Sequence, residues 1–351
     1  MLPIDRITGC LLGGAVGDAL GAPVEFMAWP AIVSAFGEAG IRNLAPAYGG
    51  LGRITDDTQM MLFTAEGLLR AHVRGASRGI CHPPGVVHHS LLRWLLTQGE
   101  PPATTVSRDG WLIEQSALWA RRAPGNTCLT ALRSARHFGD LPSNDSKGCG
   151  AIMRVAPCAF FANAFDLAAD TGRLTHAHPS GYLSAGLFAD LLRRLYLHPE
   201  QPLAQAAAHS LQAHRGREGM EETVHAVEQV LAFHARGYAP TPERIAALGG
   251  GWVGEEALAI GLWCALFAEQ YAEGVILAVN HSGDSDSTGL IAGHLLGLKH
   301  GATGIPQPWL EALELRDAIE RIARDLHEVP ARFEGGYGSA DAAIFEAYPG
   351  G

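Results

Sequence analysis

The stretch "NHSGDSDSTG", residues 280–289, sets Asp284 and Asp286 one residue apart among glycine and hydroxyl side chains, just ahead of an apolar pattern at helical spacing. A second acidic pair, Asp56 and Asp57, lies far upstream in "GRITDDTQMM", flanked by Thr55 and Thr58, again where a helix would start. Glu25 closes a third stretch, "GDALGAPVE". Taken singly, each pair reads well as a capped helix start, because Asp and Ser cap helices and carboxylates suit the positive end of the helix dipole. Taken together, Glu25, Asp56, Asp57, Asp284 and Asp286, with Thr55 and Ser287, form an oxygen-only donor set of the kind that holds hard divalent cations such as Mg²⁺ or Mn²⁺. Only folding could bring them together.

Two other stretches bear on chemistry. In "SKGCGAIMRVAP" (146–157), Ser146, Gly148 and Gly150 precede a helical pattern, and the backbone N–H groups of such a turn can cradle phosphate or sugar oxygens. The order of residues is not that of a P-loop. Cys149 reads either as a nucleophile or as a small space-filler. "THAHP" (175–179) carries His176 and His178, but the H-E-x-x-H zinc pattern is absent, so a structural or substrate-contacting histidine is expected there. His281, beside the acidic motif, is either an outer partner of the site or a packing residue.

The elements that must position these residues are helices. Apolar residues recur at helical spacing over 58–73, 86–97, 180–197 and 255–271, with further helices predicted near 8–20, 111–122, 151–162, 203–214, 220–236, 287–299 and 308–326. Strand-like alternation is almost absent, so the expectation is an all-α fold, one compact domain over 1–332 followed by a Gly-rich tail over 333–351 that is irregular or loosely docked. Glycines recur every fourth residue at Gly9, Gly13, Gly17 and Gly21, and again at Gly289, Gly293 and Gly297. A glycine inside a helix costs ~1 kcal/mol relative to alanine, so such rows imply either loops or two helices in unusually close approach. The segment 98–150 is rich in Pro, Gly, Ser and Asn, and its later part reads as a long functional loop.

Composition sets the class. With 47% hydrophobic and 18% charged residues, the 351-residue chain is that of a globular protein. A net charge of -10, from 36 acidic and 26 basic residues, argues against nucleic-acid binding. The six cysteines are scattered with no C-x-x-C pair, which points to reduced thiols and a cytoplasmic location. The N-terminal apolar stretch is interrupted by Asp5, Arg6, Asp18 and Glu25 and reads as mature protein, not as a signal peptide. The longest charge-free apolar run, "ALAIGLWCALFA", is shorter than the roughly 20 residues that span a bilayer, so no membrane role is expected.

In this order, "GCLLGGAVGDALGAPVEF", "GRITDDTQM", "SKGCGAIMRVAP", "THAHPSGYLSAGL" and "HSGDSDSTGLIAGHLLG" resemble the motifs of the ADP-ribosylglycohydrolases. The resemblance implies an all-helical fold with a binuclear Mg²⁺ or Mn²⁺ centre in a cleft that receives ADP-ribose. By motif matching it places Glu25, Thr55, Asp56, Asp57, Asp284 and Asp286 on metal-ligand positions, and Ser287 where the family usually has a ligand threonine. It implies that Ser146, Lys147, Gly148, Cys149 and Gly150 contact the distal ribose and diphosphate, with Cys149 standing where many members carry asparagine. His178 matches a histidine near the nucleotide.

The implied chemistry is hydrolysis of a glycosidic bond at the distal ribose, with Glu25, Asp57 and Asp286 as the candidate catalytic groups. The substrate implied is an arginine-ADP-ribosylated protein and the product ADP-ribose. The alternatives are serine- or other O-linked ADP-ribose, a non-catalytic ADP-ribose-binding or immunity module, and a two-metal phosphatase.

Overall fold

The computed structural model describes residues 3–333 and 342–350. From the N-terminus the helices are α1 (Pro3–Gly21), α2 (Trp29–Phe36), α3 (Asp56–Arg78), α4 (Pro83–Thr97), α5 (Asn126–Ser134), α6 (Ala164–Arg173), α7 (Pro179–Leu197) and α8 (Leu203–His214). They continue with α9 (Glu221–Ala235), α10 (Pro242–Ala246), α11 (Gly254–Phe267), α12 (Tyr271–Val279), α13 (Ser285–His300), α14 (Gln307–Ala312), α15 (Arg316–Phe333) and α16 (Ala342–Ala347). Among the described residues the only extended pairings are two isolated bridges, Ala47 with Gly50 and Gly148 with Val253. The fold is all-α, as the periodicity predicts.

Helices α1 and α13 form the central seam, and both are buried along almost their whole length. A β-carbon built on Gly9, Gly13 or Gly17 would collide with the backbone oxygen of Gly297, Gly293 or Gly289 respectively, and the same holds in reverse for Gly293 and Gly297. The glycine rows are therefore helical, and their missing side chains let two backbones touch. Rising numbers on α1 meet falling numbers on α13, so the pair is antiparallel. The C-terminal end of α1, leading to Glu25, thus lies against the N-terminal end of α13, which begins at the acidic motif.

Several boundaries differ from expectation for local reasons. The segment 111–122 holds only a 3₁₀ turn at Ser116–Leu118, and 151–162 is broken into 3₁₀ turns at Ile152–Arg154 and Ala156–Phe160 by Pro157, which has no N–H to continue a helix. The stretch 255–271 is two helices that part at Ala268, and 308–326 is divided at Leu315, whose φ of 58° is left-handed. Part of the tail, 334–341 and 351, lies outside the described residues. In its described part, 342–350, the tail forms α16 and buries Tyr348. Tyr348 is 1% exposed and its hydroxyl donates to Asp325, so this part of the tail is not irregular.

Candidate active site

The closely packed seam delivers Glu25 and the Asp284–Asp286 motif to one place. Oxygens of Glu25, Asp284 and Asp286 all lie within 4.8 Å of one another, and all three residues are buried. Asp284 caps α13 by accepting the N–H of Ser287. The Asp56–Asp57 pair arrives on α3, whose cap is Thr55: its hydroxyl accepts the N–H of Asp57 at 3.3 Å. Ser287 Oγ then donates to Asp57 Oδ2 at 2.7 Å across 230 residues of sequence and ties the motifs together.

Asp18, a residue to which sequence reasoning assigned no role in the site, holds α3 in register. Its buried carboxylate accepts the N–H groups of Thr55 (3.1 Å) and Thr58 (3.2 Å) as well as the Thr58 hydroxyl. The other side of the α3 start is braced by Arg122. Its carbonyl accepts the N–H of Asp56, and its guanidinium donates to the carbonyl of Ile54 and pairs with Glu314.

Glu25, Asp56, Asp57, Asp284, Asp286 and Ser287 line a cleft of about 660 Å³, within the range usual for small-ligand sites. Among the described residues no lysine or arginine forms an ion pair with any of the five carboxylates. Burial and then the charge of Asp286 push Glu25 up to about 11, and the same two causes raise Asp56, Asp57 and Asp284 well above the usual carboxylate range. Glu25 Oε2 is buried with no hydrogen-bond partner in the protein. An oxygen-only set with an orphaned carboxylate oxygen and no protein counter-charge fits a divalent cation. The N-termini of α3 and α13 also direct their positive ends here.

The opposite wall is the glycine turn. Gly148, Cys149 and Gly150 line the cleft, and Cys149 Sγ lies 2.8 Å from Asp284 Oδ2, to which it donates. Burial, then the carboxylates of Asp284 and Asp57, raise its pKa well above that of an ordinary thiol, which does not suit a nucleophile. Two backbone N–H groups of the turn are used internally, that of Gly148 by Ser146 Oγ and that of Cys149 by the carbonyl of Trp252. Ser146 therefore supports the turn. Lys147 turns away, its Nζ 2.8 Å from Glu222 and 2.5 Å from Glu255.

Of the two histidines in "THAHP", His176 lines the cleft and His178 does not: His178 caps α7 by accepting the N–H of Ser180. A β-carbon on Gly150 would stand 2.8 Å from Cys128 Sγ and 2.9 Å from the His176 ring, which is why this position is glycine. Burial and Arg154 push His176 down to about 3, so its ring is neutral. His281 is buried against Thr288 and packs beneath the acidic motif. Phe26 and Trp252, both at the cleft rim, are further lining residues that no acidic or glycine signal in the sequence marked. Among the described residues no helix is long and apolar enough to cross a membrane.

The chain is similar to proteins of known family over nearly its whole length. The family model described as ADP-ribosylglycohydrolase matches residues 2–334. The ADP-ribosyl-[dinitrogen reductase] glycohydrolase of Rhodospirillum rubrum is 29% identical over 91% of this chain and 93% of its own. An ADP-ribosylarginine hydrolase of Serratia proteamaculans is 25% identical over 92% of this chain and 79% of its own. The ADP-ribosylhydrolase ARH3 of Danio rerio is 22% identical over 94% and 92%. A solved structure titled "ADP-ribosylglycohydrolase-related protein complex" superposes with a TM-score of 0.65 at 27% identity, covering 93% of this chain and 99% of that one. The chain belongs to the ADP-ribosylglycohydrolase family.

Proposed function

We propose that this protein is a metal-dependent hydrolase that removes ADP-ribose from modified arginine side chains of proteins. The observation that carries the reading is the cluster of five buried carboxylates, drawn from three distant motifs into one cleft and left without a protein cation. Glu25, Thr55, Asp56, Asp57, Asp284, Asp286 and Ser287 would hold two Mg²⁺ or Mn²⁺ ions. Held there, the ions supply Lewis acidity toward water and the ribose hydroxyls. The arginine linkage is preferred because a relative named for that linkage aligns over 92% of this chain, at higher identity than the ARH3 relative.

The protein's own residues then bind, orient and move protons. The turn at Gly148–Gly150, kept flat by glycine and backed by neutral His176, receives the distal ribose and diphosphate on the wall facing the carboxylates. Ser287 fixes the carboxylate of Asp57 by donating to Oδ2. To Glu25, whose buried Oε2 has no hydrogen-bond partner in the protein, we assign the exchange of a proton with water or with the departing nitrogen. Asp57 and Asp286 hold the charge of the centre. The six cysteines, all unpaired, suit a cytoplasmic setting.

The test is direct. Arginine-linked and serine-linked ADP-ribosylated proteins are incubated with the enzyme in Mg²⁺ or in EDTA, and the released product is identified by mass spectrometry. Release of free ADP-ribose from the arginine linkage, abolished by EDTA, is expected. Release from serine only, or release of phosphate, contradicts the proposal.

A further inference from the structure

The segment "ALGGGWVG", residues 247–254, has no part in the reaction as derived, yet its backbone is bound into both walls of the cleft. The N–H groups of Gly250 and Gly251 donate to Glu256 at 3.0 and 3.1 Å, and the N–H of Asp284 donates to the Gly250 carbonyl at 2.8 Å. On the other side the Trp252 carbonyl accepts the N–H of Cys149, and the N–H of Gly254 donates to the carbonyl of Lys147. Gly251, at φ +78°, takes a left-handed turn that a side chain would strain. A segment fastened this firmly holds its side chain in a fixed place.

That side chain is left in solvent. Trp252 is 44% exposed and stacks on Phe26, which is 71% exposed, with ring centroids 5.9 Å apart and planes 18° from parallel. Single exposed apolar residues are ordinary on protein surfaces. A stacked aromatic pair on a rigid backbone at the rim of an acidic cleft is not a scattered residue of that kind, and Phe26 directly follows Glu25, whose carboxylate lies with those of Asp284 and Asp286. The ligand group that gains from both features is planar and positively charged. A guanidinium stacks on aromatic faces and is drawn by their quadrupole and by nearby carboxylates, whereas a neutral purine gains from the stacking alone. Among the described residues the one arginine lining the cleft, Arg121, is itself paired with Glu100 at 3.0 Å.

We propose that the Phe26–Trp252 pair is the leaving-group platform, receiving the guanidinium plane of the modified arginine and so setting the linkage that the enzyme prefers. The inference rests on the arginine-linked reading above. Wild-type protein, Phe26→Ala, Trp252→Ala and Trp252→Tyr are compared on arginine-linked and serine-linked ADP-ribosyl peptides, with ADP-ribose affinity measured by calorimetry. Each alanine variant is expected to lose about tenfold in kcat/KM on the arginine linkage, mainly through KM, with Trp252→Tyr close to wild type. ADP-ribose affinity and activity on the serine linkage change by less than about twofold.

A parallel loss of ADP-ribose affinity would make the pair a nucleotide platform and overturn the proposal, as would unchanged kinetics. Phe26→Ala, at an exposed position, keeps the test decisive should Trp252→Ala fold poorly. A wild-type enzyme that cleaves only the serine linkage removes the arginine reading and the platform with it. A wild-type enzyme that cleaves the arginine linkage while the variants match it removes the platform alone.

Discussion

Glu66 and Asp57 lie on the same helix, α3, and both are buried, yet their electrostatic surroundings are opposite. Glu66 meets Arg70 at 3.0 Å and Arg93 at 3.0 Å, and accepts the Ser90 hydroxyl at 2.7 Å. Burial works to raise its pKa, but Arg93 and Arg70 outweigh burial and hold it below the usual range. Asp57 has only the Ser287 hydroxyl, its own cap, and four neighbouring acids whose charges add to the effect of burial. One carboxylate finds its counter-charge in the chain and belongs to the scaffold. The other finds none among the described residues, and the proposed divalent cations would supply it.

The comparison breaks most visibly at Glu66. Glu66→Gln removes the carboxylate that pairs with buried Arg93 and one of the two that pair with Arg70, which keeps Asp109 at 2.8 Å, and the expected cost is about 3–5 kcal/mol of unfolding free energy, measured by denaturant titration. Asp57→Asn removes charge from a like-charged cluster, so the same titration in EDTA is expected to show no loss of stability. Equal destabilisation by the two substitutions would erase the distinction.

A smaller effect with a definite sign comes from pH. Burial and Asp286 push Asp18 up to about 7, and Glu25 is pushed up to about 11. Unfolded carboxylates titrate near about 4, so the metal-free folded state holds these protons more tightly than the unfolded state. The stability they contribute is complete below about pH 4 and is lost progressively as pH rises toward those two values. Glu66 has the opposite sign, contributing stability above the unfolded carboxylate range that is lost only as pH falls below it. In EDTA, calorimetric Tm is therefore expected to decline between about pH 5 and about pH 8, and Mn²⁺ is expected to abolish the decline. A Tm in EDTA that rises over this range would contradict the assignment.

Much of this arrangement was legible in the sequence because it follows from short-range signals. The glycine rows were readable as a helix–helix contact, since only a touching backbone repays a row of helical glycines. The acidic pairs were readable through residue type and helix starts. Asp18 was not, because its role is to accept N–H groups from a helix far along the chain, and one aspartate inside an apolar helix carries no periodic signal. Choosing His176 over His178 depends on which ring faces the turn, which spacing does not encode. The 111–122 stretch has apolar residues near helical spacing, yet it holds a single short turn. Trp252 was hidden in a glycine-rich stretch whose meaning comes from its bonds to Cys149 and Asp284, residues distant in sequence.

The central claim is that the unpaired carboxylates are completed by divalent cations. Crystals of wild-type protein and of Asp57→Asn grown in Mn²⁺, with anomalous differences collected at the manganese edge, test it most directly. The account predicts anomalous peaks in the wild type within bonding reach of Glu25, Asp57, Asp284 and Asp286, weakened or lost in Asp57→Asn. A wild-type map with no peak among these residues at saturating Mn²⁺ would contradict it.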